Sequence, residues 1–409
     1  MAIFYRIALW IYITLMKCVS PFYGKARRMI QGRRQWEQEL QSQSEKLQGA
    51  IWFHCSSSGE FEQGRPLIEK WKKQFPHKPV LLSFFSPSGY EMRKNYQLAD
   101  YVCYLPFDTS RNAKKFFDAV HPEMLILIKY EFWYHFICEA KHRQVKLFLV
   151  SGIFRPKHWM IRYRNAITNS VFQAFAWMFV QDEASCNLLK KRGVIRCSTA
   201  GDTRYQRVID IAAEQWSNHT IEKFIAGRKC LVAGSTWPAD EKLLCRLLKK
   251  TNEELALIIV PHEIGERHLS SLKKKFSKAA FYTQICSNEQ VHANVLIIDT
   301  LGMLSKIYRY AWLAYIGGGF GKGIHNCLEA AVYGIPVIFG PKYRKFIEAN
   351  ALIHSGGAFS VCNSESLQHR VSFFLQYPDQ VSKAGSAAQK HVASNSDSAS
   401  HIFDEIMKI

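Results

Sequence analysis

The chain has 409 residues, more than one hydrophobic core usually serves, so two domains are expected. Its 48% hydrophobic and 13% aromatic content excludes a disordered protein. The 54 Lys and Arg against 34 Asp and Glu give a formal charge of +20, which predicts an anionic partner: nucleic acid, acidic lipid or phosphorylated substrate. The 11 cysteines are scattered singly, as is typical of reduced thiols in a cytosolic compartment.

The N-terminus combines an apolar stretch with a basic cluster. Residues 7–16 are apolar but lie between Arg6 and Lys17, and they fall short of the roughly 20 apolar residues that a spanning helix needs. Basic residues follow at once: Lys25, Arg27, Arg28, Arg33 and Arg34. This order predicts that residues 1–34 lie in, or dip into, an anionic leaflet from the cytoplasmic side. The alternative is a buried first helix.

Short apolar runs then alternate with amphipathic segments. Predicted helices cover residues 63–73 and 111–119, and predicted strands cover 51–54, 80–84, 101–105, 124–128, 145–150 and 178–180. Strands that alternate with helices indicate a parallel sheet covered on both faces. We expect a first domain over residues 35–205, followed by a polar linker over residues 206–228.

The same alternation restarts after the linker. Predicted strands cover residues 230–233, 255–260, 294–298, 312–316 and 336–339, and predicted helices cover 240–250, 267–276, 326–332 and 345–353, with more helix from about Glu365. A second domain over residues 229–409 follows. The predicted fold class is therefore α/β, with two doubly wound Rossmann-like domains facing a cleft.

A glycine-rich loop follows the predicted strand at 312–316 and consists of Gly317, Gly318, Gly319, Phe320, Gly321, Lys322 and Gly323. Glycines let a backbone approach a ligand closely, and the N–H groups of a following helix favour an anion. His325 and Glu329 stand four residues apart, on one face of that predicted helix, so Glu329 could accept hydrogen bonds from a ribose. The loop favours a nucleotide site, although it is neither a Walker loop nor the dinucleotide fingerprint. The alternative is a packing turn.

Two further strand ends of the second domain carry polar groups. Ser235 and Thr236 precede Pro238, and acidic residues follow in the first helical turn. Helix capping explains this pattern by itself, and a phosphate or sugar contact is the alternative. Pro261 and His262 end the next strand, at the same edge of the predicted sheet.

Glu60 stands where the first predicted strand gives way to a helix, behind Ser57, Ser58 and Gly59. The sequence is not the G-x-S-x-G of a nucleophile elbow, and no metal-ligand spacing surrounds it. A carboxylate in a first helical turn is usually a capping acid. It can also act as a general base in a dry site, and the spacing leaves both readings open.

Together these stretches resemble the 3-deoxy-D-manno-octulosonate (Kdo) transferases of lipopolysaccharide assembly over nearly the whole chain. The motifs that carry the resemblance are HCSSSGE, SFFSPSGYE, YEFWYHF, GDTRYQRV, AGSTWPADE, VPHEIGERH, DTLGMLSKIYRYAWLAYIGGGF and GIHNCLEAAVYGIPVIFGP. The most specific pieces are residues 299–302 and His325-Asn326 with Glu329.

The resemblance implies a GT-B glycosyltransferase that moves Kdo from CMP-Kdo to the lipid A precursor with inversion, without metal or cofactor. Glu60 is then the catalytic base. The implied donor-binding residues are Ser235, Thr236, Pro261, His262, Gly317, Gly318, Gly319, Gly321, Lys322, Gly323, His325, Asn326 and Glu329. The implied acceptor-binding residues are Ser57, Ser58, Gly59, Ser86, Glu131, Arg155, Lys157 and Arg204. The implied place is the cytoplasmic face of a Gram-negative inner membrane, among anionic lipids and without nucleic acid.

Several positions depart from the family pattern. His262 stands where the family often has an arginine, which Arg267 or Lys322 could replace. Lys129 stands where many members have an acid, and the segment around Arg155 lacks the usual Asn-x-Arg-x-Ser pattern. Two other readings stay open: a GT-B transferase or epimerase acting on a UDP-sugar, and a non-catalytic basic protein that binds membranes or nucleic acid.

Overall fold

The computed structural model describes residues 2–250, 255–285 and 293–409. They form two compact units, the first built from Met1–Arg207 with Asp397–Ile409 and the second from Val208–Ser396. Each unit contains its own seven-stranded parallel sheet. The predicted α/β class with two doubly wound domains is confirmed.

The first unit opens with four helices before its sheet: α1 Ala2–Val19, α2 Gly24–Gln31, α3 Trp36–Gln41 and α4 Ser44–Leu47. The strands of the sheet are β1 Ile51–Cys55, β2 Val80–Phe84, β3 Tyr101–Tyr104, β4 Met124–Ile128, β5 Lys146–Gly152, β6 Trp177–Val180 and β7 Cys197–Thr199. Their order across the sheet is β3-β2-β1-β4-β5-β6-β7. The helices that connect them are α5 Ser58–Gln74, α6 Pro87–Arg93, α7 Ser110–Val120, α8 Tyr134–His142, α9 Trp159–Arg162, α10 Ala166–Ala174 and α11 Glu183–Lys191.

Both faces of this sheet are buried, as continuous apolar strands of a parallel sheet require. Successive side chains alternate between the faces, so Trp52 packs into one core cluster while Ile51 and Phe53 pack into the other. In register, Ile51 pairs with Val80 on one side and with Met124 on the other. The six predicted strands are confirmed, and the three-residue edge strand β7 was not predicted.

The segment predicted as a linker, residues 206–228, is mostly helical. It contains most of α12 Arg204–Ala213 and all of α13 His219–Ile225. Asn218 caps α13 through its side-chain oxygen, which accepts the Ile221 N–H. Its polar residues lie on these helices and at the cap, and the part from Val208 onward belongs to the second unit.

The second unit places its strands in the order β10-β11-β9-β8-β12-β13-β14. These strands are β8 Lys229–Thr236, β9 Leu255–Pro261, β10 Ala280–Phe281, β11 Val295–Ile297, β12 Leu313–Ile316, β13 Val337–Phe339 and β14 Ala358–Ser360. The helices that follow α13 in this unit are α14 Pro238–Leu248, α15 Glu266–Lys275, α16 Leu304–Ile307, α17 Leu328–Ala331, α18 Ile347–Ser355, α19 Ser364–Gln376 and α20 Pro378–Ala393. The five predicted strands are confirmed, and the short strands β10 and β14 were not predicted.

The last helix, α21 Ser398–Lys408, belongs to the first unit. Ile402, Phe403 and Ile406 are buried in one of the core clusters of that unit, and the rings of Phe403 and Trp71 lie 5.2 Å apart. The prediction assigned residues 229–409 to the second domain and was wrong at this end. The apolar stripe of α21 is visible in the sequence, but the element that covers it is not.

Candidate functional site

Glu60 lies in the first turn of α5, directly beyond the carboxyl end of β1. Ser57 is the N-cap residue, and its hydroxyl accepts the Glu60 N–H at 3.4 Å. The Glu60 carboxylate accepts the Ser56 N–H at 2.6 Å, so Glu60 does contribute to the cap. Ser58 and Gly59 complete the turn and leave the carboxylate at the edge of the sheet. Glu60 therefore combines a capping contact with a position where parallel sheets bind ligands.

The surroundings of Glu60 favour its protonated form. Burial, followed by the nearby Glu131 carboxylate, raises the pKa of Glu60 to about 8, while Lys129 and the Ser56 N–H act in the opposite direction. Lys129 directly follows β4 and has a φ of +74°, a value that is uncommon for a residue with a side chain. A carboxylate with this pKa holds a proton firmly once it has taken one, as a general base requires.

Glu131 lies beside a buried polar network. Its carboxylate is 3.5 Å from His54 Nε2, and the Trp133 indole donates a hydrogen bond to the same nitrogen at 3.0 Å. Nε2 is therefore an acceptor, which places the imidazole proton on Nδ1, 2.8 Å from Ser83 Oγ. Because Nε2 accepts from Trp133, it donates no hydrogen bond to Glu131.

The other predicted acceptor residues lie in the first unit. Ser86 caps α6, and its backbone N–H donates to the Ser56 carbonyl at 2.8 Å, which brings it beside the Glu60 turn. Arg155 is exposed and pairs with Asp182 at 3.0 Å, and Lys157 is exposed in the same loop after β5.

Arg204 already forms an ion pair with a carboxylate, which a residue that binds a phosphate would not. Its guanidinium holds Asp202 at 2.6 Å through Nη2 and at 2.9 Å through Nε. Burial would raise the pKa of Asp202, but Arg204 and then Lys129 outweigh burial and lower it. Because its charge is matched by a buried carboxylate, Arg204 is better placed to fix this loop than to attract an acceptor.

In the second unit, the turn after β8 has one strained residue and one buried hydroxyl. Ser235 has a φ of +52°, and Thr236 is fully buried with its hydroxyl 3.4 Å from Glu241. Glu241 is also buried and binds Lys275 at 2.9 Å and His268 at 2.7 Å. Thr236 is thus an internal residue, whereas Ser235 is only half-buried.

Asp240 organises the glycine-rich loop. Its carboxylate accepts the Gly318 N–H at 2.9 Å, the Trp237 N–H at 3.0 Å and the Tyr315 hydroxyl at 2.8 Å. Gly318 has a φ of +89°, which a residue with a side chain rarely adopts. Asp240 therefore caps α14 and also fixes the conformation of the glycine-rich loop.

The sequence predicts that backbone amides at this loop bind an anion, and the structure agrees only in part. The N–H groups of Gly317, Gly321 and Gly323 donate to carbonyls within the unit. Gly319 packs against Gly340, where an added Cβ would come within 2.6 Å of backbone. The helix after the loop, α17, has four residues and begins at Leu328. The glycines thus serve close packing to a greater extent than expected.

The shortened helix also changes the relation of His325 and Glu329. His325 lies before α17, so the two residues do not share one helix face, and that prediction was wrong. Asn326 instead donates to the Glu329 carboxylate at 3.0 Å. Lys322 is exposed at the tip of the loop.

Three aromatic rings gather at the carboxyl ends of β8, β9 and β12. The Trp237 indole donates to His325 Nε2 at 3.0 Å, and the two rings are nearly coplanar, at 12°. His262 stacks on both, with centroids 4.7 Å from Trp237 and 4.3 Å from His325. Burial lowers the pKa of His325 to about 4, so this ring stack is neutral at physiological pH. His262 thus reaches the same place as His325, as predicted, while Pro261 is the buried last residue of β9.

Two residues of these sites were missed by sequence reasoning. Lys129 was noted only as a departure, and nothing in the sequence reveals its backbone conformation or its effect on Glu60. Trp237 follows Ser235-Thr236 directly, and a tryptophan at a strand-to-helix turn was an available signal.

Helix α1 exposes an unusual amount of apolar surface. Phe4 is 73% exposed, Trp10 67% and Leu15 59%. Among the described residues no single helix is long and apolar enough to cross a membrane. The helices Phe4–Val19 and Gly24–Gln31 reach that length and apolarity only together, and they are bent by 117°.

No group of three or more His, Cys, Asp or Glu side chains suited to a metal ion occurs within residues 2–250, 255–285 and 293–409.

Solved structures share the fold of this chain. Alr3699/HepE of Anabaena, solved with UDP, superimposes with a TM-score of 0.58 at 13% identity and covers 88% of this chain and 100% of its own. The UDP-GlcNAc 2-epimerase of Neisseria meningitidis, bound to UDP-GlcNAc, gives 0.56 at 13% identity, over 88% and 99% of the two chains. The fold is therefore of the GT-B class, as predicted.

Sequence comparisons find similarity to the Kdo transferases. Residues 30–207 match the family model described as 3-deoxy-D-manno-octulosonic-acid transferase (kdotransferase). The 3-deoxy-D-manno-octulosonic acid transferase of Aquifex aeolicus is 27% identical over 339 residues, which are 81% of this chain and 88% of that protein. A bifunctional glycosyltransferase/methyltransferase of Fusobacterium nucleatum is 27% identical over 77% of this chain, which spans 51% of that relative's length. The chain is a glycosyltransferase related to the Kdo transferases, and the predicted resemblance is confirmed.

Proposed function

We propose that this protein transfers Kdo from CMP-Kdo to a lipid A precursor, with inversion at the anomeric carbon and without a metal ion. Its relationship to Kdo transferases supports the sugar. The observation that carries the mechanism is Glu60, a carboxylate of raised pKa at the carboxyl end of a central strand.

Glu60 would act as the general base. A sugar hydroxyl becomes a good nucleophile only when its proton is removed in the transition state, and Glu60 accepts that proton. Glu131 raises and Lys129 lowers the proton affinity of Glu60, so the two neighbours tune it. CMP leaves as a phosphate monoester and needs no protonation, so a single proton acceptor suffices.

The second unit would hold the donor. In this proposal Asp240 fixes the glycine-rich loop, Glu329 and Asn326 contact the ribose, and Ser235 and the ring stack of Trp237, His262 and His325 line the nucleotide site. Three lysines lie at the loop tip: Lys322 within the loop, and Lys342 and Lys345, whose ammonium groups donate to the Gly321 and Lys322 carbonyls at 2.8 and 2.7 Å. In this proposal these lysines supply the positive charge that a donor anion requires.

We also propose that α1 lies on the cytoplasmic face of an anionic inner membrane. Its exposed Phe4, Trp10 and Leu15 would enter the lipid boundary, and the basic cluster of α2 would meet the headgroups. The charge of +20 supports attraction to such a surface.

A transfer assay tests the proposal. Purified protein is incubated with CMP-Kdo, generated in situ, and a tetra-acylated, bisphosphorylated glucosamine disaccharide, and the product is read by mass spectrometry. A gain of whole Kdo masses is expected. If no Kdo mass is gained and the protein turns over a UDP-sugar instead, the proposed donor is wrong. If no Kdo mass is gained although CMP still binds, the proposed acceptor is wrong. Flotation with vesicles of anionic and of neutral lipid tests the membrane attachment, which requires binding to the former.

A further inference from the structure

Two grooves run along α1, and neither contains Glu60. The first, of about 400 Å³, is lined by four apolar residues of α1 and by four polar residues: Ile7, Leu9, Trp10 and Ile13, with Arg6, Thr109, Ser110 and His135. We name it the apolar groove. The second, of about 570 Å³, is lined by Lys17, Arg33, Arg34, Thr109 and Asn112. We name it the basic groove. Ile13 and Thr109 line both, so the two grooves are continuous.

The basic groove has positive charge without a matching acid. Arg33 is buried, and its guanidinium donates to three backbone carbonyls, those of Met29, Phe85 and Leu105. It has no carboxylate partner within the described parts of the chain, and neither do Lys17 and Arg34. Carbonyls satisfy the hydrogen bonds of a cation but do not cancel its charge. Three such cations beside two polar side chains form a site that suits a phosphate.

The basic groove lies at the same sheet edge as Glu60. Arg33 donates to the carbonyl of Leu105, which directly follows β3, while Glu60 lies in the first turn of α5, the helix after β1. Because β2 alone separates β3 from β1, the strand ends lie roughly 10 Å apart. Side chains also connect the two places: the Arg33 guanidinium lies over the Phe85 ring at 4.7 Å, and Phe85 packs on Trp133 at 4.5 Å. Trp133 is the residue that binds His54 beside Glu131.

We propose that these grooves bind one phosphorylated, acylated sugar, with a phosphate in the basic groove, an acyl chain in the apolar groove and a hydroxyl at Glu60. The occupant is the acylated, phosphorylated disaccharide acceptor, so this inference rests on the proposed function. A headgroup of two sugars bridges the separation between the strand ends. A bilayer phospholipid would fill the grooves but would present no sugar hydroxyl to Glu60.

The first test separates phosphate recognition from catalysis. The double variant Lys17→Ala/Arg34→Ala is compared with Lys114→Ala/Lys141→Ala, which removes the same charge from exposed positions of the same unit outside both grooves. With the tetra-acylated, bisphosphorylated disaccharide, we expect the first variant to raise KM at least tenfold and to change kcat less than twofold. With the dephosphorylated acceptor, the same variant should change KM less than twofold. Equal effects of the two double variants, or of the two acceptors, would overturn the phosphate site.

The second test addresses the acyl chain. Ile13→Ser should raise the KM of the tetra-acylated acceptor about three- to tenfold and leave that of the deacylated, bisphosphorylated disaccharide unchanged. An equal change with both acceptors would overturn the apolar groove as a chain site. Thermal melts of all variants confirm folding, which is expected because Lys17 and Arg34 are exposed.

A binding measurement distinguishes failure of this inference from failure of the proposed function. Binding of the tetra-acylated, bisphosphorylated disaccharide is followed by the fluorescence of tryptophans, since Trp10 and Trp36 line the grooves. If the unmodified protein binds the disaccharide and Lys17→Ala/Arg34→Ala does not, the grooves are its binding site even when no Kdo is transferred. If both bind equally, the inference is wrong even when Kdo is transferred. If an anionic phospholipid of one phosphate competes equally well, the occupant is bilayer lipid and the proposed acceptor site is wrong.

Discussion

Glu60 and Asp240 occupy the same helical position in the two units. Each is the third residue after an N-cap, in the helix that follows the first strand of its sheet. Burial is the leading cause that raises the pKa of both carboxyl groups above their usual range. Asp240 accepts three hydrogen bonds from its own unit, whereas the Glu60 carboxylate accepts the Ser56 N–H and faces Glu131 and Lys129. The same position thus carries a structural acid in one unit and a proposed reactive acid in the other.

The strongest way to break this comparison is to make the same isosteric change in both units. Glu60→Gln keeps an acceptor for the Ser56 N–H but cannot take a proton, so we expect transfer to fall roughly 10²- to 10⁴-fold with CMP affinity unchanged. Asp240→Asn can still accept from the two amides while the Tyr315 hydroxyl reverses its role, so transfer should fall less than fivefold. Initial rates and CMP titrations measure both. Similar losses in the two variants would show that the acids do not differ in role.

The pH dependence of stability provides the control for Glu60→Gln. Because the pKa of Glu60 is raised to about 8 in the folded unit, ionisation opposes folding. The stability that the protonated form provides is present below the unfolded pKa and is lost as the pH rises through about 8. Glu60→Gln should therefore match the unmodified protein at pH 5 and exceed it at pH 8, by about 1–3 kcal/mol. Urea unfolding at the two pH values checks this sign, and a loss at both would mean that the turn itself is damaged.

Replacing each carboxylate by alanine should cost more stability at Asp240 than at Glu60, which is the opposite of the order expected for the transfer rate. Asp240→Ala leaves the Gly318 and Trp237 amides and the Tyr315 hydroxyl without their acceptor, which costs about 3–5 kcal/mol. Glu60→Ala loses one cap contact and removes a destabilising charge, so its unfolding free energy should change by less than about 1 kcal/mol. Hydrogen exchange of the Gly318 amide, with urea unfolding, measures the difference. Protection of Gly318 that survives Asp240→Ala would contradict the assigned role.

A change at Lys129 sharpens the account of Glu60. Lys129 lowers the pKa of Glu60, so Lys129→Met should raise it and move the rising limb of the rate against pH upward by about one unit. At pH 7 this costs about tenfold in rate. Glu131→Gln should move the limb downward, because the carboxylate that repels ionised Glu60 is then absent. Profiles of kcat/KM from pH 5 to 10 measure both variants. If the rising limb moved in the same direction in Lys129→Met and in Glu131→Gln, the two residues would not have opposite effects on Glu60.

The smallest expected effect concerns the ring stack of the second unit. Trp237→Phe keeps a ring against His262 but removes the donor to His325 Nε2. We expect the KM for CMP-Kdo to rise two- to fivefold with little change in kcat, since a single neutral hydrogen bond contributes about 1 kcal/mol. The KM of Asp240→Asn for CMP-Kdo serves as the reference. An unchanged KM in Trp237→Phe would show that Trp237 does not contribute to the donor site.

The sequence predicts those parts of this molecule that local pattern controls. Strands such as Val80–Phe84 and Leu255–Pro261 are buried on both faces, and their continuous apolar runs are unmistakable. The edge strands Cys197–Thr199 and Ala280–Phe281 are too short to form a pattern. The late start of α17, at Leu328, was missed because the glycine-rich loop folds back on itself through backbone hydrogen bonds, which leave no pattern in the side chains.

The candidate sites divide in the same way. Glu60 was found because a strand end, a row of serines and a family motif coincide there. Its opposing neighbours Glu131 and Lys129 come from the next strand of the sheet, so their effect depends on strand order. The pairing of Arg204 with Asp202, two residues apart, was within reach of local reasoning and was overlooked.

The return of α21 to the first unit means that the polypeptide passes between the units twice, after Arg207 and after Ser396. The second unit is one uninterrupted stretch of chain, so it can be excised, replaced by a homologous module or tagged at both ends. The first unit is assembled from two pieces, and a fragment ending at Arg207 would leave the surface around Trp71 uncovered. A peptide of residues 397–409 supplied separately should complete that fragment. The two pieces together form a natural split protein whose reassembly can report on the folding of the first unit alone.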